Sequence, residues 1–275
     1  DERFLRLPSE VLVSAMREHQ RYFHLVDEAG QLLPVFLTVA NVDSPKPEMV
    51  IKGNERVITP RLTDAEFFYD KDLKQPPAEW IESLKQVTYQ AELGSYFEKA
   101  ERLGSLSAQI ARRMGIDEAS AQRAGQLAKT DLVSGMVGEF PDLQGVMGEY
   151  YARAAGEAST VSLAIREHYQ PRFAGDALPT GEVSQAVALA DRLDALVGLF
   201  GINQPPTGSK DPFALRRQAI GIVRICVESQ LPISAFTLVD DAVTGFAREF
   251  DGQPVKDYLT DRFEQWAVDE GVSYD

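Results

Sequence analysis

From residue 76 onward strand-like alternation almost vanishes from the chain, and this change of period narrows its possible folds more than any other feature. Amphipathic helical segments follow one another instead. "SYFEKAERLGSLSAQIARRMG" stops at Gly115, a natural C′ residue, and "DEASAQRAGQLAKTDLVSGMV" opens on the capping residue Asp117. "LQGVMGEYYARAAG", "ASTVSLAIREHY", "GEVSQAVALADRLDALVGLFG" and "DPFALRRQAIGIVRICVES" continue the array, with "YQPRFAGDALPTGE" and "INQPPTGSK" as Pro/Gly-rich loops. "SAFTLVDDAVTGFAREF" and "PVKDYLTDRFEQWAVDEG" add two acidic helices separated by a "DGQP" break.

The preceding residues mix periods. "SEVLVSAMREH" reads as a short helix with Ser9 as N-cap, and "RYFHLV" and "LLPVFLTVA" read as a hairpin whose loop contains Gly30. "EMVIKGNERVITPRLTDAEFFYDKDL" is helical in pattern but interrupted by Gly53 and Pro60, which predicts two segments or a kink. The expected fold is therefore mostly α. An α+β piece (residues 1–75) precedes a helical domain (76–235), and acidic helices (236–275) follow.

The 275 residues, 44% hydrophobic and 25% charged, describe a globular chain with ample core. No apolar run approaches the roughly 20 residues of a membrane span, and no signal-peptide pattern is present. The opening "DERFLRLPSE" lacks a methionine and reads as the start of an excised fragment. The single cysteine, Cys226, excludes a disulfide framework and suits a reducing cytoplasm. A net charge of −14 counts against a broad nucleic-acid-binding surface. From Asp240 to Asp275 ten acids face Arg248, Lys256 and Arg262, a net of −7, so half the excess lies there and local basic stripes remain open elsewhere.

"TGSKDPFALRRQAIGIVRI" looks like a phosphate-handling device. A P-loop needs Ser or Thr after the lysine and a preceding strand, and neither is present. Asp211 as N-cap and Pro212 as first helical residue account for the turn. Leu215, Ile222 and Ile225 define an apolar side, and Arg217 and Arg224 share another face. Lys210, Arg217 and Arg224 are phosphate-contact candidates, with solvated arginines on a core helix as the plainer account. "GNERVITPR" gathers a second candidate group, Lys52, Arg56 and Arg61, against which ion pairs with Glu55, Asp64 or Glu66 weigh evenly. The glycines of "GEFPDLQGVMGEYYA" read as packing, and Phe67, Phe68, Tyr69, Tyr150 and Tyr151 as core or rim.

Several blocks together carry a family resemblance. "LPSEVLVSAMREHQRYFHL", "GNERVITPRLTDAEFFYDKDL", "LAKTDLVSGMVGEFPDLQGVMGEYYA", "REHYQPRF" and "PTGSKDPFALRRQAIGIVRI" resemble the beta subunit of bacterial heterotetrameric glycyl-tRNA synthetase, in order, from about Leu7 to Leu231. The resemblance implies an internal fragment of a tRNA-recognising subunit. It also implies an alpha-subunit partner that carries the adenylation site with ATP and glycine, tRNA(Gly) as ligand, and no catalytic residue or cofactor in the fragment itself. Residues 254–275 resemble only the start of the family's anticodon-binding domain.

The helical part is similar to HD-type phosphohydrolase domains, in which two histidines and two aspartates hold a divalent metal. That likeness places Asp191, in "ALADRLDAL", at the last ligand, Thr130-Asp131 at the His-Asp pair, and Lys99 at the first histidine. Ammonium groups repel a metal cation, so Asp191 is expected to pair with Lys129 or Lys99 and no metal is expected. His168 can sit near this former pocket, although a satisfied core or surface histidine is the plainer role. The rival accounts are a metal-dependent phosphohydrolase and an assembly scaffold without RNA contact.

Overall fold

The computed structural model describes residues 1–41 and 43–271; the end of the acidic stretch, residues 272–275, lies outside the described residues. Among the described residues the chain is mostly helical, with strand confined to two small antiparallel pairs. Helix α1 (Ser9–Gln20) leads into the hairpin β1 (Phe23–Val26) and β2 (Leu32–Leu37), where Phe23 faces Leu37 and Gly30 takes the left-handed turn position (φ 78°). Helix α2 (Pro47–Asp72) and the short α3 (Pro77–Trp80) complete the N-terminal part. A second pair, β3 (Thr88–Gln90) and β4 (Gly94–Ser95), opens the helical array. The array runs α4 (Tyr96–Met114), α5 (Glu118–Leu127), α6 (Gly135–Glu139), α7 (Val146–Ala154), α8 (Ser159–Glu167), α9 (Glu182–Gly201), α10 (Leu215–Glu228), α11 (Ala235–Thr244) and α12 (Gln253–Asp269).

Local chemistry explains most boundaries. Ser95 and Glu98 form a capping box at the start of α4, and Gly115 ends that helix at φ 73°. The Asp117 carboxylate accepts the Ala119 and Ser120 amides to start α5. Helix α9 has no cap of its own, and Glu167 of α8 accepts the Thr180 and Gly181 amides in its place.

Four expectations need correction. The residue before α1 is Pro8 rather than Ser9, which lies inside the helix. Helix α2 runs unbroken through Gly53 and Pro60. The proline is exposed, its missing N–H removes one bond, and burial of Ile58 and Ala65 on either side holds the helix together. The segment after Asp117 is not one helix but α5, a 3-10 turn over Thr130–Val133, and α6. Helix α10 starts at Leu215, not Pro212, because Ala214 adopts φ 53°. Asp211 still caps it, from four residues upstream, by accepting the Leu215 and Arg216 amides at 2.7 and 2.9 Å.

Two apolar cores result. The larger is built around α9, which is buried on nearly every side and packs against α4, α5, α8, α10 and α11. The smaller joins Phe4, Val11, Leu12 and Ile58 to Phe140, Met147 and Tyr151 of the α6–α7 region. Asp72, at the end of α2, ties the two parts together by accepting the Gly135 and Met136 amides and the Tyr151 hydroxyl.

Candidate functional site

An all-round apolar helix has no solvent face, so any charge it carries must find partners inside the protein. Helix α9 carries three such residues, Asp191, Arg192 and Asp194, at the centre of the larger core. Helix α4 presents Lys99 and Arg102, three apart and therefore on one face, toward them. Lys99 Nζ lies 2.9 Å from Asp191 Oδ1 and 2.8 Å from Asp194 Oδ2, and Arg102 Nε donates to Asp194 Oδ1 at 2.5 Å. Lys129, just after α5, donates to Asp191 Oδ2 at 2.8 Å.

His168 completes the cluster. Its Nδ1 lies 2.7 Å from the Ile165 carbonyl and its Nε2 lies 2.8 Å from Lys129 Nζ. Since the carbonyl only accepts and the ammonium only donates, this network assigns a neutral imidazole protonated on Nδ1. Both ammonium groups also sit over tyrosine rings, Lys99 4.5 Å from the Tyr89 centroid and Lys129 4.0 Å from that of Tyr169. Arg192 is held differently, donating to the carbonyls of His168, Ala188, Tyr169 and Pro171 and so binding the 168–171 segment to α9.

Charge balance follows from burial and pairing. Burial opposes ionisation of Asp191, but Lys129 and Lys99 overcome it and hold the carboxyl well below the usual range. Burial likewise opposes the Lys99 charge, and Asp191 with Asp194 outweighs it, raising that ammonium well above the ordinary lysine value. Lys129 is shifted down by burial, only partly offset by Asp191. His168 is pushed well below the ordinary histidine value by burial and by Lys129. Burial lowers Arg192 to about 10, which leaves it charged at neutral pH.

The positions expected to share a former metal site are only partly brought together. Lys99, Lys129, Asp191 and His168 converge, so the expected lysine pairing of Asp191 is present from both sides. Thr130 and Asp131 turn away. The Thr130 hydroxyl donates to the Leu127 carbonyl, and the Asp131 carboxylate accepts the Gly145 and Gly148 amides at 2.6 and 3.0 Å. Gly148 allows that approach, because a Cβ there would lie 2.6 Å from Ile165 Cγ2 and 3.1 Å from Asp131 Oδ2. These residues do not fit a divalent metal: Asp191 already has an ammonium on each oxygen, and Asp194, the cluster's other carboxylate, is held by Lys99 and Arg102.

The phosphate candidates fall on separate helices. Lys52 and Arg56 are exposed on α2, while Arg61 is half-buried over the Phe140 ring and 3.7 Å from Glu139, not from the nearby acids weighed for it. Lys210 is exposed in the turn before α10. Arg224 is not a free arginine, because it pairs with Glu228 at 2.7 Å and donates to the Asp176 carbonyl. Arg217 is exposed, makes no ion pair or hydrogen bond among the described residues, and lines the same cavity as Lys99, Lys129 and Asp191. Asp194, Arg102 and the tyrosines escaped the sequence reading, although charges on an otherwise apolar α9 were a usable signal.

A family model described as glycyl-tRNA synthetase beta subunit matches residues 1–275, the whole chain. The chain belongs to that family. A glycine–tRNA ligase beta subunit of Marinobacter nauticus is 50% identical over 275 residues, covering 99% of this chain and 40% of the relative. Those of Hahella chejuensis and Pseudomonas savastanoi are 50% and 51% identical with the same coverage. The chain thus spans about 40% of the length of the curated beta subunits it matches. No helix among the described residues is long and apolar enough to cross a membrane.

Proposed function

We propose that this part of the beta subunit supports recognition of tRNA(Gly) for ATP-dependent glycylation carried out on an alpha subunit. ATP would act there, no cofactor would bind here, and the assembly would work in the cytoplasm. Family membership carries this reading. The buried cluster agrees with it, since its carboxylates are neutralised by lysine and arginine instead of being left free for acid–base work.

Arg217 is the arginine of α10 best placed to meet an RNA phosphate, being exposed and unpaired among the described residues. With a net charge of −14, the chain alone should bind tRNA weakly and with steep salt dependence. The test is tRNA binding across salt concentrations by parent, Arg217→Ala and Arg224→Ala, with protection mapping in the presence and absence of the alpha subunit. Arg217→Ala should weaken binding, lower the salt slope by roughly one and leave the thermal midpoint unchanged. Arg224→Ala should lower the midpoint, because it removes the Glu228 pair and the tie to Asp176. Unchanged tRNA affinity in Arg217→Ala, with no protection of α10 in the assembled enzyme, would refute the role given to this helix.

A further inference from the structure

The cavity above the buried lysines has a volume of about 290 Å³, close to the lower bound of roughly 300 Å³ for pockets that hold small ligands. Its walls combine two kinds of group that the protein leaves unused. Tyr89, Tyr96 and Tyr169 line it, and none of their hydroxyls bonds to any described residue. The side-chain amides of Gln144 and Gln218 line it and are likewise without partners among the described residues. Phe213, 39% exposed, stands on the rim with no ring or cation partner among the described residues. An apolar ligand would leave these polar groups unmet, whereas convergent unpaired donors and acceptors beside an open ring suit a polar, flat, hydrogen-bonding molecule.

The charge of the wall selects the sign of that molecule. Lys99, Lys129, Arg172, Arg192 and Arg217 line the cavity, against one carboxylate, Asp191, whose two oxygens both belong to the lysines. Arg172 shares its charge with Asp176 at 3.3 Å, but Arg217 has no partner among the described residues. A neighbouring groove of about 640 Å³ shares Gln144, Tyr169, Arg172 and Arg217 with the cavity and continues past Arg17. Beyond the shared residues the groove carries Arg17 and Arg166 against Glu10, Glu18 and Asp142, so an extended chain leaving the cavity would meet mixed charge, with its strongest attraction at the shared Arg172 and Arg217.

We propose that this cavity takes a single nucleotide, with its base on Phe213, its ring heteroatoms among the tyrosine hydroxyls and glutamine amides, and its phosphate on Arg217. Bare phosphate would use the cations and ignore the ring and amides. The nucleotide comes either free or as an unpaired nucleotide of an RNA strand that runs along the adjoining groove. The proposal rests on the reading of Arg217 as an RNA-facing cation and adds to it Phe213, the tyrosine hydroxyls and the glutamine amides, so a variant that spares Arg217 tests the cavity by itself.

Equilibrium dialysis of the 275-residue chain separates the sources. One arm uses AMP, CMP, GMP and UMP, with inorganic phosphate as competitor. The other uses an RNA hairpin with an unpaired 3′ end and the same hairpin made blunt. Saturable binding in either arm is expected, weakened about tenfold by Arg217→Ala and by Tyr96→Phe, with phosphate a poor competitor. The arm that binds identifies the source. Tyr96→Phe removes a hydroxyl and no charge, so whole-tRNA affinity measured on it should stay at the parent value where the free nucleotide is the ligand and should fall with that of the hairpin where the unpaired RNA nucleotide is. No saturable binding below about 10 mM in either arm, equal binding by both variants, or phosphate competing as well as the nucleotide would overturn the proposal.

Discussion

Replacing Asp131 with asparagine should remove a pH-dependent weakness built into the chain. The Asp131 carboxyl is fully buried, one oxygen accepts the Gly145 and Gly148 amides, and the other has no partner among the described residues. Burial pushes its pKa from 3.8 to about 6, against the pull of those two amides. A folded-state value above the unfolded one means that the folded protein binds the proton more tightly. The stabilisation is then complete below about pH 4 and is lost as the pH rises through about 6. At about 1.36 kcal/mol per unit, the shift corresponds to about 3 kcal/mol, of which somewhat over 2 falls between pH 4 and pH 7. Asparagine keeps an acceptor for the glycine amides and cannot ionise. Urea unfolding of both proteins across that range, followed by the fluorescence of Trp80 and Trp266, should show the asparagine variant gaining about 2–3 kcal/mol on the parent as the pH rises. Taking the difference cancels the other carboxylates, several of which have lowered values and gain stability over the same range. A flat difference, or one of opposite sign, would refute the account of a carboxyl whose ionisation burial opposes.

Two further tests probe the cluster. Nitrogen NMR of His168 should show a neutral Nδ1–H ring at neutral pH that titrates well below the ordinary histidine range, and Lys129→Met should raise its pKa by removing the adjacent charge. A protonated His168 at neutral pH in the parent would contradict the network. Gly221→Ala should destabilise the chain by about 1–3 kcal/mol in thermal or urea unfolding, because its Cβ would lie 2.5 Å from Arg192 Nε. The Arg192 guanidinium is anchored by four backbone carbonyls and cannot step aside, so a loss below about 0.5 kcal/mol would show that the clamp yields.

Helix positions were legible in the sequence because helical periodicity, capping residues and terminal glycines act within a few residues of one another. The hairpin around Gly30, the stop at Gly115 and the start at Asp117 all follow from such local chemistry. Local rules failed where distant packing outweighed them. Pro60 does not break α2, because buried residues hold the helix on both sides, and Ala214 delays α10 beyond the expected first residue. The pairing of Asp191 with lysine could also be anticipated, since a carboxylate and an ammonium in one apolar core have no better partners.

Which side chains close that network was decided only by tertiary structure. Asp131 and Asp191 were equivalent as sequence candidates, yet the fold gives one to two glycine amides and the other to two lysines. Arg217 and Arg224, seven residues apart on one helix, part company in the same way, because the Asp176 loop reaches only the second. A sequence determines which groups must be satisfied when buried. The partner that satisfies each one depends on which distant segment arrives within about 3 Å, and that distance exists only after the helices have packed.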